Sequence, residues 1–121
     1  MKYNALQVTE SSAGEFNSQV CELDTSDLPE GDVLIQVSYS SLNYKDALSF
    51  SGNKGVTRQY PHTPGIDAVG KVVSSSGDEF TEGQSVVVVG YDLGMGTSGG
   101  FGEFVRVPAN WVMRLPSAMT E

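Results

Sequence analysis

Apolar and polar residues alternate over short stretches of the chain, which is typical of β-strands with one buried face. Residues 33–40 add β-branched side chains to this alternation. Residues 85–89 are an almost unbroken apolar run, which predicts a strand covered on both faces. Gly, Pro and polar residues separate these stretches and predict turns. The predicted strands are residues 3–8, 16–23, 33–40, 66–74, 85–89, 103–107 and 111–115.

One segment between the predicted strands has the sequence of a helix. Asn43 is a favourable N-cap, Asp46 follows three residues later as in a variant capping box, and Gly52 suits the position after the helix. These residues predict a helix over residues 44–50. Many short strands with one or two short helices predict a mainly β fold, a partly open β-barrel.

Length and composition exclude several classes of protein. The 121 residues suffice for one domain with one core, and a second, nucleotide-binding domain would not fit beside it. No apolar run approaches the ~20 residues that span a bilayer, and the N-terminus lacks the apolar centre of a secretory signal. Cys21 is the only cysteine, so we expect a cytoplasmic protein without disulfides or membrane association. The net charge of −8 opposes nucleic-acid binding.

Neither a zinc site nor a dinucleotide fingerprint is predicted. A catalytic zinc needs at least three protein ligands, and Cys21 and His62 are the only thiol and imidazole in the chain. Residues 94–99 fit the pattern G-x-G-x-x-G, but that fingerprint requires a helix to begin within it. A strand is predicted after these residues instead, which favours a loop between strands.

The residues that best suit chemistry are those at the predicted helix start. Tyr44 can donate a hydrogen bond or a proton, and Asn43 places an amide beside it. Capping and packing also explain these residues, so their spacing alone favours a structural role and leaves a functional one open. Residues 54–58 form the one locally basic stretch, either a solvated loop or a contact for the phosphate of an anionic substrate or cofactor.

Four segments of the chain, residues 41–48, 60–70, 80–86 and 99–104, are familiar as a set. Together they resemble the quinone oxidoreductase branch of the medium-chain dehydrogenase/reductase superfamily, and in particular its acrylyl-CoA reductases. The resemblance covers nearly the whole chain, and the segments occur in the same order. The glycine-rich loop departs from the family, which has tryptophans where this chain has Tyr91 and Ser98.

The resemblance implies that residues 1–121 form a GroES-like N-terminal, substrate-side catalytic domain, normally followed by a Rossmann domain that this chain lacks. It implies zinc-independent, NADPH-dependent reduction of a small molecule: an α,β-unsaturated acyl-CoA, an enone or a quinone. In the acrylyl-CoA reductases, the tyrosine matching Tyr44 borders the nicotinamide and is implicated in cofactor binding, with the asparagine matching Asn43 beside it. Zinc alcohol dehydrogenases have histidine and glutamate after the glycine that matches Gly65, where this chain has Ile66 and Asp67.

Two other functions stay open beside this one. The first is a stand-alone GroES-like binding or assembly module without enzymatic activity, which should end in a closed strand. Residues 115–121 instead suggest a strand exit and a helix start capped by Ser117 or Thr120, which favours a fragment. We expect such a fragment to be inactive alone and to form homo-oligomers through its uncovered docking face. The second is a nucleic-acid-binding barrel, which the acidic charge disfavours.

Overall fold

The alternating stretches of the sequence form strands in the computed structural model, which describes residues 1–116. Over these residues the fold is mainly β, as predicted, with a single α-helix and two short 3-10 turns at Thr25–Asp27 and Ala109–Trp111. The elements are β1 (Lys2–Glu10), β2 (Phe16–Asp24), β3 (Val33–Tyr39), α1 (Tyr44–Phe50), β4 (Asp67–Ser75), β5 (Ser85–Val89), β6 (Phe104–Val107) and β7 (Val112–Arg114).

The strands form two antiparallel sheets. β1 and β2 make a two-stranded ladder, and the other strands make a five-stranded sheet in the order β6-β3-β4-β5-β7. The ladder is linked to the segment just before β6 by two backbone contacts. These are an isolated bridge between Ala5 and Gly102 and a 2.8 Å hydrogen bond from the Leu6 amide to the Phe101 carbonyl. The sheets do not close on each other, so the prediction of a partly open barrel is confirmed.

The helices lie between strands and are short. α1 begins and ends as predicted, with Asn43 extended before it and Gly52 in the left-handed region, at φ +86°, after it. No helix among the described residues is long and apolar enough to cross a bilayer. The predicted helix start at Ser117 or Thr120 lies outside the described residues.

Two apolar clusters give the fold its core. The larger cluster is formed mainly by side chains of the five-stranded sheet. It includes Phe80, which lies in the loop before β5 and is 4% exposed. The Arg114 guanidinium lies 4.7 Å from the centre of the Phe80 ring and covers it from solvent. The smaller cluster joins the β1–β2 ladder to the sheet and contains Tyr3, Ala5, Leu28, Leu34 and Phe104. The strand residues of the larger cluster are Val33, Ile35, Ala68, Val72, Val86, Val88, Val105, Val107 and Val112.

Residues 85–89 form a strand as predicted, but the prediction that both faces of this strand are covered is wrong. Val86 and Val88 are fully buried, but Val87 is half-buried and Val89 is 52% exposed. The second cluster covers the outer face of the sheet only near Leu34 and Phe104. The outer face of β5 therefore stays apolar and uncovered by the described residues.

Exposed and half-buried apolar side chains line up across four strands on this face. Tyr39 pairs with Val69, Val69 with Val87, and Val87 with Met113, so the four side chains share one face of the sheet. Tyr39 is 62% exposed and Met113 57% exposed. We call these four residues the outer apolar row.

The β3–β4 pairing requires a glycine at residue 70. A Cβ on Gly70 would lie 2.0 Å from the Gln36 carbonyl oxygen, beside the bulges that shift the β3–β4 register. We expect Gly70→Ala to lower the free energy of unfolding by about 1–3 kcal/mol, because the strands must separate. Gly77→Ala is the matched control, since a Cβ there meets nothing within 4 Å. Urea unfolding of both variants checks this, and equal stability would contradict it.

Candidate functional site

The residues at the start of α1 divide into exposed and held side chains. Tyr44 is 78% exposed and Lys45 is exposed, whereas Asn43 is half-buried and Asp46 is fully buried. Asn43 and Asp46 lie three positions apart and so face the same side of the helix start. The predicted site is thus an exposed phenol beside two residues that the fold holds in place.

The Asp46 carboxylate connects the helix start to the turn before β4. Its Oδ2 accepts a 2.8 Å hydrogen bond from the Asn43 amide, which is the capping interaction predicted from the sequence. Its Oδ1 accepts hydrogen bonds from the amides of Gly65 at 3.2 Å and Ile66 at 3.0 Å. Three N–H groups therefore satisfy the buried carboxylate, which is the condition under which a charge can be buried. Asp46 is a structural residue that fixes where α1 begins.

A second carboxylate holds the side chain of Asn43. Asn43 Nδ2 donates to Ser41 Oγ at 2.9 Å and to Asp67 Oδ2 at 3.3 Å, and Ser41 Oγ donates to Asp67 Oδ2 at 2.8 Å. This network joins the two longest motifs, residues 41–48 and 60–70, at one place in the fold. Ser41 and Asp67 were not predicted as site residues from the sequence, although both lie within the segments that resemble the reductases.

Tyr44 has no partner among the described residues. Its hydroxyl makes no hydrogen bond and its ring no aromatic contact with them. Leu42, two residues earlier, is 80% exposed. An uncovered aromatic ring at a fixed helix start can pack against a flat ligand, and its hydroxyl can reach a polar atom of that ligand.

A shallow apolar groove adjoins the Asn43–Asp67 network. Its volume is about 260 Å³, and it runs from Ser41 and Asp67 along the outer apolar row. Because the groove shares Ser41 and Asp67 with the network, an apolar ligand or a further segment of protein seated in it would touch the site. The other lining residues are Tyr39, Ser40, Ala68, Val69, Val87 and Val89.

The glycine-rich loop is fastened to the segment around His62. The imidazole Nε2 lies 2.8 Å from the Gly94 carbonyl, and burial lowers the pKa of His62 although this hydrogen bond acts in the opposite direction. The amides of Gly99 and Gly100 donate to the carbonyls of Thr63 and Gly65 at 2.7 and 2.9 Å. His62 thus links the glycine-rich loop to the segment before β4.

The glycines of this loop serve close packing of backbone. A Cβ on Gly94 would lie 2.4 Å from the Gly65 carbonyl. No helix begins in the loop, and β6 follows it, so the prediction that residues 94–99 are no dinucleotide fingerprint is confirmed.

The candidate metal ligands are not grouped. His62 belongs to the loop just described, while Cys21 lies on β2 with its Sγ 3.6 Å from Gln7 Oε1. Within residues 1–116, no three His, Cys, Asp or Glu side chains are placed to hold a metal ion.

The two basic residues of the loop after α1 have different surroundings. Lys54 Nζ lies 2.7 Å from Glu10 Oε1 and 5.0 Å from the centre of the Tyr60 ring, so its charge is already paired. Arg58 is exposed and forms no ion pair or hydrogen bond with any residue in the described range. Of the two, only Arg58 is free to meet a phosphate.

Comparison with known proteins identifies the class to which this fold and site belong. Residues 29–117 match the alcohol dehydrogenase GroES-like domain, and the chain belongs to that family. The predicted membership of the medium-chain dehydrogenase/reductase superfamily is confirmed.

Two curated relatives are similar over almost the entire chain. The putative quinone oxidoreductase YhfP of Bacillus subtilis is 41% identical over 98% of this chain, and the acrylyl-CoA reductase AcuI of Ruegeria pomeroyi is 38% identical over 97%. This chain spans 36% of the length of each.

Solved structures agree with this likeness. The structure of Bacillus subtilis yhfP with NAD bound has a TM-score of 0.92 at 39% identity, and the yhdH oxidoreductase of Salmonella enterica in complex with NADP has 0.91 at 38%. Each comparison covers 99% of this chain and 36% of the solved chain.

The three hydrogen bonds of Asp46 give a prediction for stability. We expect Asp46→Ala to lower the free energy of unfolding by about 2–5 kcal/mol, because buried amides lose their acceptor. Asp46→Asn should lower the free energy of unfolding by less. The side-chain oxygen of the asparagine can still accept hydrogen bonds from the amides of Gly65 and Ile66, and only the hydrogen bond from the Asn43 backbone amide is lost. Denaturant unfolding checks the order, with Asp78→Ala, at an exposed loop position, as the control. Asp46→Ala unfolding like this control would contradict the role of Asp46.

Proposed function

We propose that this chain is the substrate-side domain of an NADPH-dependent reductase that acts without zinc. The substrate class is a small molecule with an electron-poor double bond: an α,β-unsaturated acyl-CoA, an enone or a quinone. The proposal further holds that a Rossmann domain in the same polypeptide completes the site. The relatives named a quinone oxidoreductase and an acrylyl-CoA reductase, and the solved structures with NAD and NADP, support it.

The observation that carries the proposal is the uncovered ring of Tyr44 at a helix start that Asp46 fixes in place. A nicotinamide ring fits such a residue because both surfaces are flat, and stacking orients the nicotinamide without enclosing it. Tyr44 is the first helical residue, so its position is set by the same hydrogen bonds that begin α1. Tyr44 and Asn43 are therefore the residues that would hold the nicotinamide from this side.

Zinc independence is supported by Ile66 and Asp67, which occupy the positions of the histidine and glutamate in the zinc alcohol dehydrogenases. Ile66 offers no ligand atom where the zinc enzymes have histidine. The Asp67 carboxylate instead accepts hydrogen bonds from Ser41 and Asn43, which fixes the amide of Asn43. Without a metal, hydrogen bonds must polarise the substrate carbonyl.

The chemistry divides between cofactor and protein. NADPH, when bound, supplies the hydride. The Tyr44 hydroxyl, which has no partner among the described residues, donates a hydrogen bond or a proton to the substrate oxygen. The side-chain amide of Asn43, the residue before Tyr44, is held in one orientation by its hydrogen bonds to Ser41 and Asp67.

The outer apolar row supports the proposal that a further domain of the same polypeptide completes the site. Tyr39 and Met113 are exposed and Val69 and Val87 are half-buried, and all of these but Met113 line the groove that contains Ser41 and Asp67. Contact with the remainder of a longer polypeptide would bury them and exclude water from the site. Alone, the chain would bury them by self-association, as a homo-oligomer.

Kinetics of the Tyr44 variants test the proposal. In the polypeptide continued through its Rossmann domain, we expect Tyr44→Phe to lower kcat on the order of 100-fold, since the proton donor is lost. Tyr44→Ala should in addition raise KM for NADPH roughly 10-fold, because the stacking surface is lost. Steady-state kinetics with crotonyl-CoA, an enone and a small quinone would measure both effects.

Tyr91→Phe is the matched control because Tyr91 is also exposed, at 57%, but its ring stacks on Trp111 5.3 Å away. Its kinetics should equal those of the unaltered protein. Unchanged kinetics in Tyr44→Phe would remove Tyr44 from the chemistry. No turnover of any acceptor by the longer, folded polypeptide would favour a binding or assembly module instead.

A further inference from the structure

His62 is a buried titratable residue that lies outside the residues assigned to the proposed site. It is 6% exposed, and it is the only histidine of the chain. Its backbone is fixed to β1, because the His62 amide donates to the Val8 carbonyl at 2.9 Å and the Val8 amide donates to the His62 carbonyl at 2.7 Å. The imidazole therefore extends from a segment whose position is set by β1.

The imidazole joins the tip of the glycine-rich loop, residues 91–98, to another segment. Within residues 1–116, the other hydrogen bonds of this tip stay inside the loop, such as the 2.9 Å bond from the Gly94 amide to the Thr97 carbonyl. The Gly94 carbonyl, by contrast, lies 2.8 Å from His62 Nε2. Because a carbonyl oxygen only accepts, Nε2 carries a hydrogen, and a second proton would go to Nδ1.

Both ends of the glycine-rich loop lie beside Asp67, whose carboxylate holds Asn43. Before the loop, Val89 pairs with Asp67 across the β4–β5 ladder. After the tip, Gly100 packs so closely that a Cβ there would lie 2.4 Å from the Asp67 carbonyl oxygen. A displacement of the loop would therefore change the packing around the residue that holds Asn43.

The surroundings of the imidazole make this link sensitive to pH. Burial is the larger influence and lowers the pKa of His62, while the Gly94 carbonyl and the Asp92 carboxylate act in the opposite direction. β1 contributes only the backbone of Val8 to these surroundings, and the segment of His62 itself contributes the Tyr60 ring, with 6.1 Å between ring centres.

Two basic residues contact the same neighbours. Lys54 Nζ lies 5.0 Å from the centre of the Tyr60 ring and is paired with Glu10, and Arg58 lines a cleft together with Asp92. Of these charged groups, Asp92 is the one that favours the protonated form of His62.

We propose that His62 is a positioning residue for the proposed reaction, and that its neutral imidazole holds the glycine-rich loop against the segment before β4. A second proton would place a positive charge where little water reaches it, and release of the loop would hydrate that charge. Because the pKa of His62 is lowered in the held loop, the held state is most stable above about pH 6.5 and loses stability as the pH falls below that value. The effect on activity rests on the proposed reductase function, whereas the effect on the loop does not.

Hydrogen exchange of the loop amides tests the inference without reference to turnover. In the polypeptide continued through its Rossmann domain, we expect the protection of residues 92–99, corrected for intrinsic exchange, to fall severalfold between pH 7.5 and pH 5.5. The ceiling is about 10-fold, since an exposed histidine binds its proton near pH 6.5. Residues 16–24 of β2 serve as the internal reference.

His62→Gln is the matched variant, because the glutamine NH₂ group can donate to the Gly94 carbonyl but does not titrate. Its loop should be equally protected at both pH values. His62→Leu should lose protection at both, because the Gly94 carbonyl loses its donor. Constant protection in the unaltered protein would overturn the inference, and so would an equal loss at pH 5.5 in His62→Gln, which decides the question even if His62→Leu does not fold.

The pH profile of the reaction tests the positioning role. We expect kcat/KM of the unaltered protein to decline more steeply below pH 6.5 than that of His62→Gln, because displacement of the loop changes the surroundings of Asp67. Parallel pH profiles would contradict the positioning role. Absence of turnover by the unaltered protein at every pH would contradict the reductase function itself, and hydrogen exchange would still decide whether His62 holds the loop.

Discussion

The buried carboxylate of Asp46 is the interaction on which the site depends. Taking a charge out of water is expensive, and only well-placed donors offset that cost. Here the amides of Asn43, Gly65 and Ile66 supply them, and they come from two segments about 20 residues apart in the chain. One side chain thus fixes both where α1 begins and where the turn before β4 lies. Every residue assigned a role at the site lies on or beside these segments.

The residues held by hydrogen bonds lie directly beside residues that are exposed. Hydrogen bonds hold Asn43 and the glycine-rich loop, whereas Tyr44 is exposed and the outer apolar row is only partly covered by the described residues. A domain that closed its own active site would cover an exposed phenol and an apolar groove. The proposed second domain accounts for their exposure, and this chain spans 36% of the length of the two curated relatives.

Local sequence signals predicted local structure well. The helix over residues 44–50 agrees with the structure because its N-cap, capping acid and terminal glycine are all encoded nearby. Long-range features were not predictable in this way. The exposure of Val87 and Val89 depends on whether another layer of structure packs on that face of the sheet, and the periodicity of the sequence does not show this. The ion pair of Lys54 with Glu10 joins residues 44 positions apart, and the Ser41–Asp67 hydrogen bond joins residues 26 apart.

The central claim is that the fixed start of α1 presents Tyr44 to a nicotinamide. The most direct measurement is a crystal structure of the polypeptide continued through its Rossmann domain, grown with NADPH. We expect the Tyr44 ring to lie within about 4.5 Å of the nicotinamide, in van der Waals contact, with the hydrogen bonds of Asp46 unchanged. A nicotinamide bound away from α1, with the Tyr44 ring still in solvent, would contradict the claim.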